Sequence, residues 1–151
     1  MQRFTDLKVW QKAHLLTIRI YVLTQAFPEE EKYGLAAQMR RAATSISTNV
    51  AEGSKRAWAR DYSRFLNIAQ GSAAEVEGLL LLGRDLGFVS VETTAPLLEE
   101  VDHISRMLEA LRQRVDRDGP RAADAARTRA ALPSTLDAGR STTGGAHART
   151  R

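Results

Sequence analysis

Apolar residues recur every three or four positions along most of the chain up to Val115. In the first run, Val9, Ala13, Leu16, Ile20, Leu23 and Phe27 take the spacing that aligns side chains on one helix face. Asp6 stands where an N-cap is wanted, and Phe27-Pro28 ends the run because the residue before proline is pushed out of the α region. The second run, from near Tyr33 to Gly53, aligns Leu35, Met39, Ala42, Ile46, Val50 and Gly53, with Gly53-Ser54 as its stop. The third, from about Ala59 to Leu86, steps through Tyr62, Phe65, Ala69, Ser72, Val76, Leu79, Gly83 and Leu86, and Gly87 closes it. The fourth repeats the pattern in Leu97, Val101, Ile104, Leu108, Leu111 and Val115, with Pro96 placed in its first turn. No segment alternates apolar and polar residues over a useful length, so no strand is expected. Long amphipathic helices with short connections predict an all-α fold, an antiparallel up-down four-helix bundle.

The second helix carries a further stripe. Gln38, Arg41, Ser45, Asn49 and Glu52 run beside its apolar residues at the same spacing. One buried stripe is enough to fold a helix, so the second asks for a partner subunit, a ligand or an internal network. A network would pair Arg41 with Glu75 or Glu77 on the third helix and let Ser45 and Asn49 satisfy one another or Ser72, since buried charges must be paired. Subunit interface and structural network are both open readings.

Composition narrows the class. The 151 residues are 43% hydrophobic, enough for one domain with a core. There is no cysteine, so neither a disulfide framework nor a thiolate metal site is available. No apolar run reaches the ~20 residues of a membrane span, and the first residues lack a signal-peptide core. A cytoplasmic protein with no membrane partner is expected. The net charge of +4 is uneven: residues 1–117 hold 16 Lys+Arg against 15 Asp+Glu, and residues 118–151 hold 6 Arg against 3 Asp. Beyond Asp118 the chain turns to Ala, Arg, Thr, Ser and Gly without a period, so residues 118–151 read as a disordered Arg/Ala-rich tail and 1–117 as the bundle.

Enzyme-like signals are sparse. Glu100-Val101-Asp102-His103 has the Glu-x-x-His spacing of carboxylate-bridged metal bundles, but no second copy of that motif accompanies it, and the two residues fall at the edge of the apolar stripe or outside it. No Gly-rich phosphate loop, Gly-x-Ser-x-Gly or cysteine nucleophile occurs. No catalysis, cofactor or metal is expected. Arg40, Lys55, Arg56, Arg60 and Arg64 form a basic cluster assigned to the turn between helices two and three. Trp58 and Tyr62 lie among them, and cations interleaved with aromatics hold phosphates and stack bases. Arg56, Arg60 and Arg64 share one face if the third helix begins early. The competing reading makes Tyr62 core, Trp58 a lid over the bundle's end, and the arginines merely solvated.

Four separated motifs carry a resemblance. They are F-x-D-L-x-V-W-Q-K-A at 4–13, F-P-x-E-E-K-Y-G-L at 27–35, Q-x-R-R-A-A-x-S-I-x-x-N-V-A-E-G at 38–53 and Y-x-R-F-L-x-I-A-x-G-S at 62–72. In order, they resemble the four-helix-bundle family that includes the 23S rRNA-intervening-sequence proteins. The accessory protein of diversity-generating retroelements is similar to the same family. The resemblance implies a bacterial homo-oligomer, with a pentameric ring as its form, without catalytic activity. It also implies RNA or DNA as partner, or alternatively a reverse transcriptase docked on an oligomeric scaffold. This chain departs from the family pattern at Ser47, where many members carry proline, and at Gly78 and Gly83, where larger residues are usual.

Overall fold

The computed structural model describes residues 3–119. After a 3₁₀ turn at Phe4–Asp6, α1 spans Lys8–Thr24. A second 3₁₀ turn, Glu29–Glu31, leads into α2 at Leu35–Gly53, followed by α3 at Ala59–Asp85 and α4 at Val91–Asp118. No strand occurs among the described residues. Each helix packs on its neighbours in sequence, α1 closes against α4, and the diagonal pairs do not meet. This is the antiparallel up-down bundle that the periodicity predicts. The tail expected from residue 118 lies outside the described residues, apart from Asp118 and Gly119, and Asp118 belongs to α4.

The core is the predicted stripes with one rotation. Leu16, Ile20, Met39, Ile46, Val50, Val76, Ile104 and Leu108 are fully buried. On α3, however, Leu66, Ala73 and Leu80 join Ala69 and Val76 inside, whereas Tyr62, Phe65 and Leu79 are half-buried and Leu86 is exposed. Small residues occupy the centre of α3 and allow α2 to approach, and the larger aromatics flank the seam. Gly53 serves that approach and is also the last residue of α2, with Ser54 as C-cap, as expected. A Cβ there would stand 2.8 Å from Phe65 Cβ and 2.8 Å from Tyr62 Cδ2.

Helix ends follow local chemistry. Gly87, at φ 78°, ends α3, with the Phe88 N–H donating to Gly83 O and the Gly87 N–H to Arg84 O, both at 2.9 Å. This is a Schellman ending, and Phe88 then packs on Phe27 at 5.6 Å between ring centroids. Three expected ends are corrected. Asp6 does not cap α1; it belongs to the 3₁₀ turn, and Leu7 precedes the helix without a side-chain cap. Helix α1 stops at Thr24, before Phe27-Pro28. Helix α4 begins five residues before Pro96, because Ser90 Oγ accepts the Thr93 N–H at 3.1 Å and sets the start there. Pro96 therefore lies inside the helix, where its missing N–H leaves an exposed turn unbonded.

One polar clasp ties α3 to α4. The Glu109 carboxylate accepts from Arg112 Nε at 3.1 Å and Nη2 at 2.8 Å, from Gln113 Nε2 at 2.8 Å, and from Gln70 Nε2 of α3 at 3.1 Å. The Arg112 hydrogen bonds foremost, then those of Gln113 and Gln70, pull its pKa from the ordinary 4.5 to about 2. Because the folded value lies below the unfolded one, this contribution to stability is complete above pH ~4.5 and disappears as pH falls toward ~2. Urea unfolding of the native chain and Glu109→Gln should therefore differ at pH 6, and the gap should shrink below pH ~4.5 and become small as the pH approaches ~2. An equal gap at both pH values would remove the clasp from the account.

Candidate functional site

The start of α1, the end of α2, the start of α3 and the end of α4 share one end of the bundle. Lys55 Nζ lies 5.8 Å from the Phe4 ring centre, and Gly119 sits against Ala59. Arg3, Lys8, Lys55, Arg60, Arg64 and Arg114 gather at this end, all exposed and without an ion pair among the described residues. Trp58, the residue before α3, is 64% exposed in their midst and lids nothing. Tyr62 is half-buried, and burial raises its pKa against the opposing pull of Arg114. A groove of about 390 Å³ runs between α1 and α4 at this end, with Lys8 and Arg114 on its walls and the Asp6 carboxylate as its acidic member.

Two members of the predicted basic cluster are placed differently. Arg56 is not on α3, which starts at Ala59; it lies in the turn, pairs with Glu52 and covers the Phe65 ring at 4.7 Å. Its charge is partly matched, so Arg60 and Arg64 are the arginines that share a helix face. Arg40 is about 20 Å away along α2 and belongs to a different surface. Its Nε donates to Thr24 Oγ1 at 2.8 Å, and its guanidinium stacks 4.8 Å over Tyr21.

The polar stripe of α2 divides. Ser45 and Ser72 share a hydrogen bond of 2.8 Å between α2 and α3, and Asn49 Nδ2 donates to Ser45 O at 2.7 Å and Ser45 Oγ at 3.0 Å. Ser72 also lies within 3.1 Å of Ile68 O. These three form the structural network foreseen for them. Glu52 is outside it, held by Arg56. Arg41 makes no ion pair with Glu75 or Glu77; all three are exposed, and solvated charges gain little from pairing. Gln38 is also exposed.

The Glu-x-x-His pair is separated in use. Glu100 pairs with Arg19 of α1, and His103 is exposed. No group of three His, Cys, Asp or Glu is arranged for a metal among the described residues. His14 is also exposed and stacks on Trp10, with centroids 4.9 Å apart and planes at 11°.

The sequence reading missed one surface. Leu15, Ile18 and Val22 are 45%, 49% and 63% exposed, on the face of α1 opposite its core stripe. Their spacing of three and four was visible in the chain. Exposed Ile68 and Leu82 lie on the outer side of α3, where Gly71 and Gly78 leave open space above the backbone.

These motifs on a four-helix frame can be set beside known proteins. The family model described as "23S rRNA-intervening sequence protein" matches residues 5–110. The chain belongs to that family. Among solved structures, the 23S rRNA-intervening sequence protein fold here is similar to a protein of unknown function from the S23 ribosomal protein family of Bacteroides thetaiotaomicron. The TM-score is 0.65 at 25% identity, over 69% of this chain and 97% of that one. Comparison with curated proteins gives no match. No helix among the described residues is long and apolar enough to cross a membrane.

Proposed function

We propose that this family member is a non-catalytic, homo-oligomeric bundle of the bacterial cytoplasm that holds RNA or DNA against its basic end. The observation that carries this reading is the gathering of six exposed, unpaired cations around an exposed tryptophan. Like charges massed without carboxylate partners repel one another in the free protein, and phosphates relieve that repulsion. Trp58 offers a ring to any base, so the contact is tolerant of sequence. The outer face of α1 supports assembly. The outer face of α3, which lies diagonally across the bundle, looks away from that of α1, so apolar patches on the two faces suit head-to-tail contacts, the kind that form a ring when their rotation closes. Five copies are the number implied by the family resemblance.

The test replaces Lys55, Arg60 and Arg64 with glutamine; Arg56 is spared because Glu52 already holds it. Fluorescence anisotropy with nonspecific RNA and DNA across a salt series should show weaker binding. The slope should fall by roughly 0.7–0.9 per lost phosphate contact, while the helical circular dichroism stays unchanged. Unchanged affinity and slope would take nucleic acid away from this end. Failure of the native chain to bind even at low salt would leave the protein-docking scaffold, with a reverse transcriptase as its client, as the better reading.

A further inference from the structure

A second surface carries cations and aromatics independently of the basic end. An open groove of about 600 Å³ lies between α1 and α2 toward the opposite end of the bundle, bordered by Tyr21, Lys32, Tyr33, Arg40 and Arg41. None of its three cations has an ion pair among the described residues. Arg40 is held in place before any ligand arrives. Buried Thr24 accepts from Nε at 2.8 Å and the Tyr21 ring supports the guanidinium plane, while both Nη groups remain without a partner among the described residues. That is the geometry of an arginine kept for an anion, because its rotamer entropy is already spent. Tyr33 is 88% exposed, its ring accompanied only by Lys32 Nζ at 5.7 Å. Glu29 lies in an adjoining hollow of about 180 Å³ with Lys32 and Arg40, and Glu31 is committed to the Leu35 N–H at 2.9 Å.

We infer that this α1–α2 groove is a second nucleic-acid site, binding a single-stranded segment with phosphates on Lys32, Arg40 and Arg41 and a base on Tyr33. The inference rests on the nucleic-acid reading above but shares none of its residues. An acidic peptide would satisfy the cations and leave the Tyr33 ring in water, whereas a nucleotide strand uses both. The α2 wall from Ala37 to Thr48 runs about 16 Å, several times the ~3.4 Å spacing of stacked nucleotides. Thr44 and Thr48 give their hydroxyl hydrogens to the carbonyls of Arg40 and Thr44, at 2.8 and 3.0 Å, so they offer no donors for reading base edges. The site therefore takes strand and base without a sequence code.

The full chain is titrated against a short fluorescein-labelled oligouridylate over a range of salt. Two variants probe the two halves of the contact: Lys32→Gln with Arg41→Gln, and Tyr33→Ser. All three residues are exposed, so the fold is preserved; Arg40 is left alone because it also braces α1. The double glutamine variant should bind more weakly and flatten the salt slope by about 1.4, or ~0.7 for each single-strand phosphate contact. Tyr33→Ser should weaken binding roughly 5- to 100-fold at an unchanged slope, and Tyr33→Phe should restore it, because stacking needs the ring and not the hydroxyl. Both losses should persist when Lys55, Arg60 and Arg64 are already glutamine. If only the basic-end substitutions matter, the groove is overturned and the proposed function stands. If poly-glutamate competes as well as the oligonucleotide and Tyr33→Ser changes nothing, the groove is an acidic-protein surface and the inference fails. If the native chain binds no oligonucleotide, both readings fall together.

Discussion

Exchanging Leu15, Ile18 and Val22 together for glutamate is expected to convert the proposed assembly into monomers at tens of micromolar protein, with little change in helical content. Each of these side chains keeps about half its surface in water within the single chain. Removing them costs the bundle little, whereas an interface formed on them would have to bury three carboxylates. Sedimentation velocity should show the native chain at several times 16.7 kDa and the variant near that mass. The proposed head-to-tail arrangement makes a second, sharper claim. Ile68→Glu with Leu82→Glu on α3 should dissociate the proposed ring equally, because in that arrangement α3 would supply the complementary patch. Mixing the two kinds of monomer should then give a dimer, since each retains one intact face and the pair can form one good contact. A contact between two copies of the same α1 face would give no such rescue. A native chain that runs as a monomer would remove the oligomer altogether.

Much of the bundle was legible because a single period, three or four residues, decides which face is buried, and no segment carried a competing period of two. Gly87 was equally readable, since a left-handed residue after an apolar run is a common helix ending. The misplaced ends share a cause. Asp6 and Pro96 are residues that favour helix starts, but a start belongs to whichever residue first satisfies the free N–H groups. Ser90 does so for α4, and a 3₁₀ turn displaces Asp6. The rotation on α3 was hidden because Tyr62, Phe65 and Leu79 form an apolar stripe of their own beside Leu66, Ala73 and Leu80, and the period alone does not say which of the two stripes faces the core.

The candidate site was less legible than the fold. Arg40 and Arg41 are neighbours in sequence, yet one turns toward α1, where Thr24 and Tyr21 hold it, and the other remains in solvent. Adjacent residues on a helix diverge by 100°, so a basic run in the sequence is not one patch. The pairing of Arg41 with Glu75 or Glu77 assumed burial that neither partner has. The Ser45–Ser72–Asn49 network was foreseen because it needs only helices two and three side by side, which periodicity supplies.

Gly53→Val should be among the most destabilising single substitutions at any exposed or small position of the bundle. The two Cβ contacts of 2.8 Å are closer than side chains tolerate, and the atoms met are Phe65 Cβ, fixed to the backbone of α3, and a ring carbon of half-buried Tyr62. Phe65 cannot yield without moving its helix, so α2 and α3 must part at this end. Overpacking of this kind costs about 1–3 kcal/mol and occasionally more, and the two γ-methyls of valine enlarge the clash. Replacing glycine in a helix gains back at most ~1 kcal/mol of propensity, less for a β-branched residue, so the loss prevails. A fall of about 4–8 °C in melting temperature per kcal/mol is expected for a domain of this size. Gly78→Ala is the control of opposite sign: it is exposed, with nothing within 4 Å of its Cβ, and should raise stability by up to ~1 kcal/mol. If Gly53→Val and Gly78→Ala both stabilise the chain, helix propensity alone governs these positions and the close approach of α2 to α3 has no energetic weight.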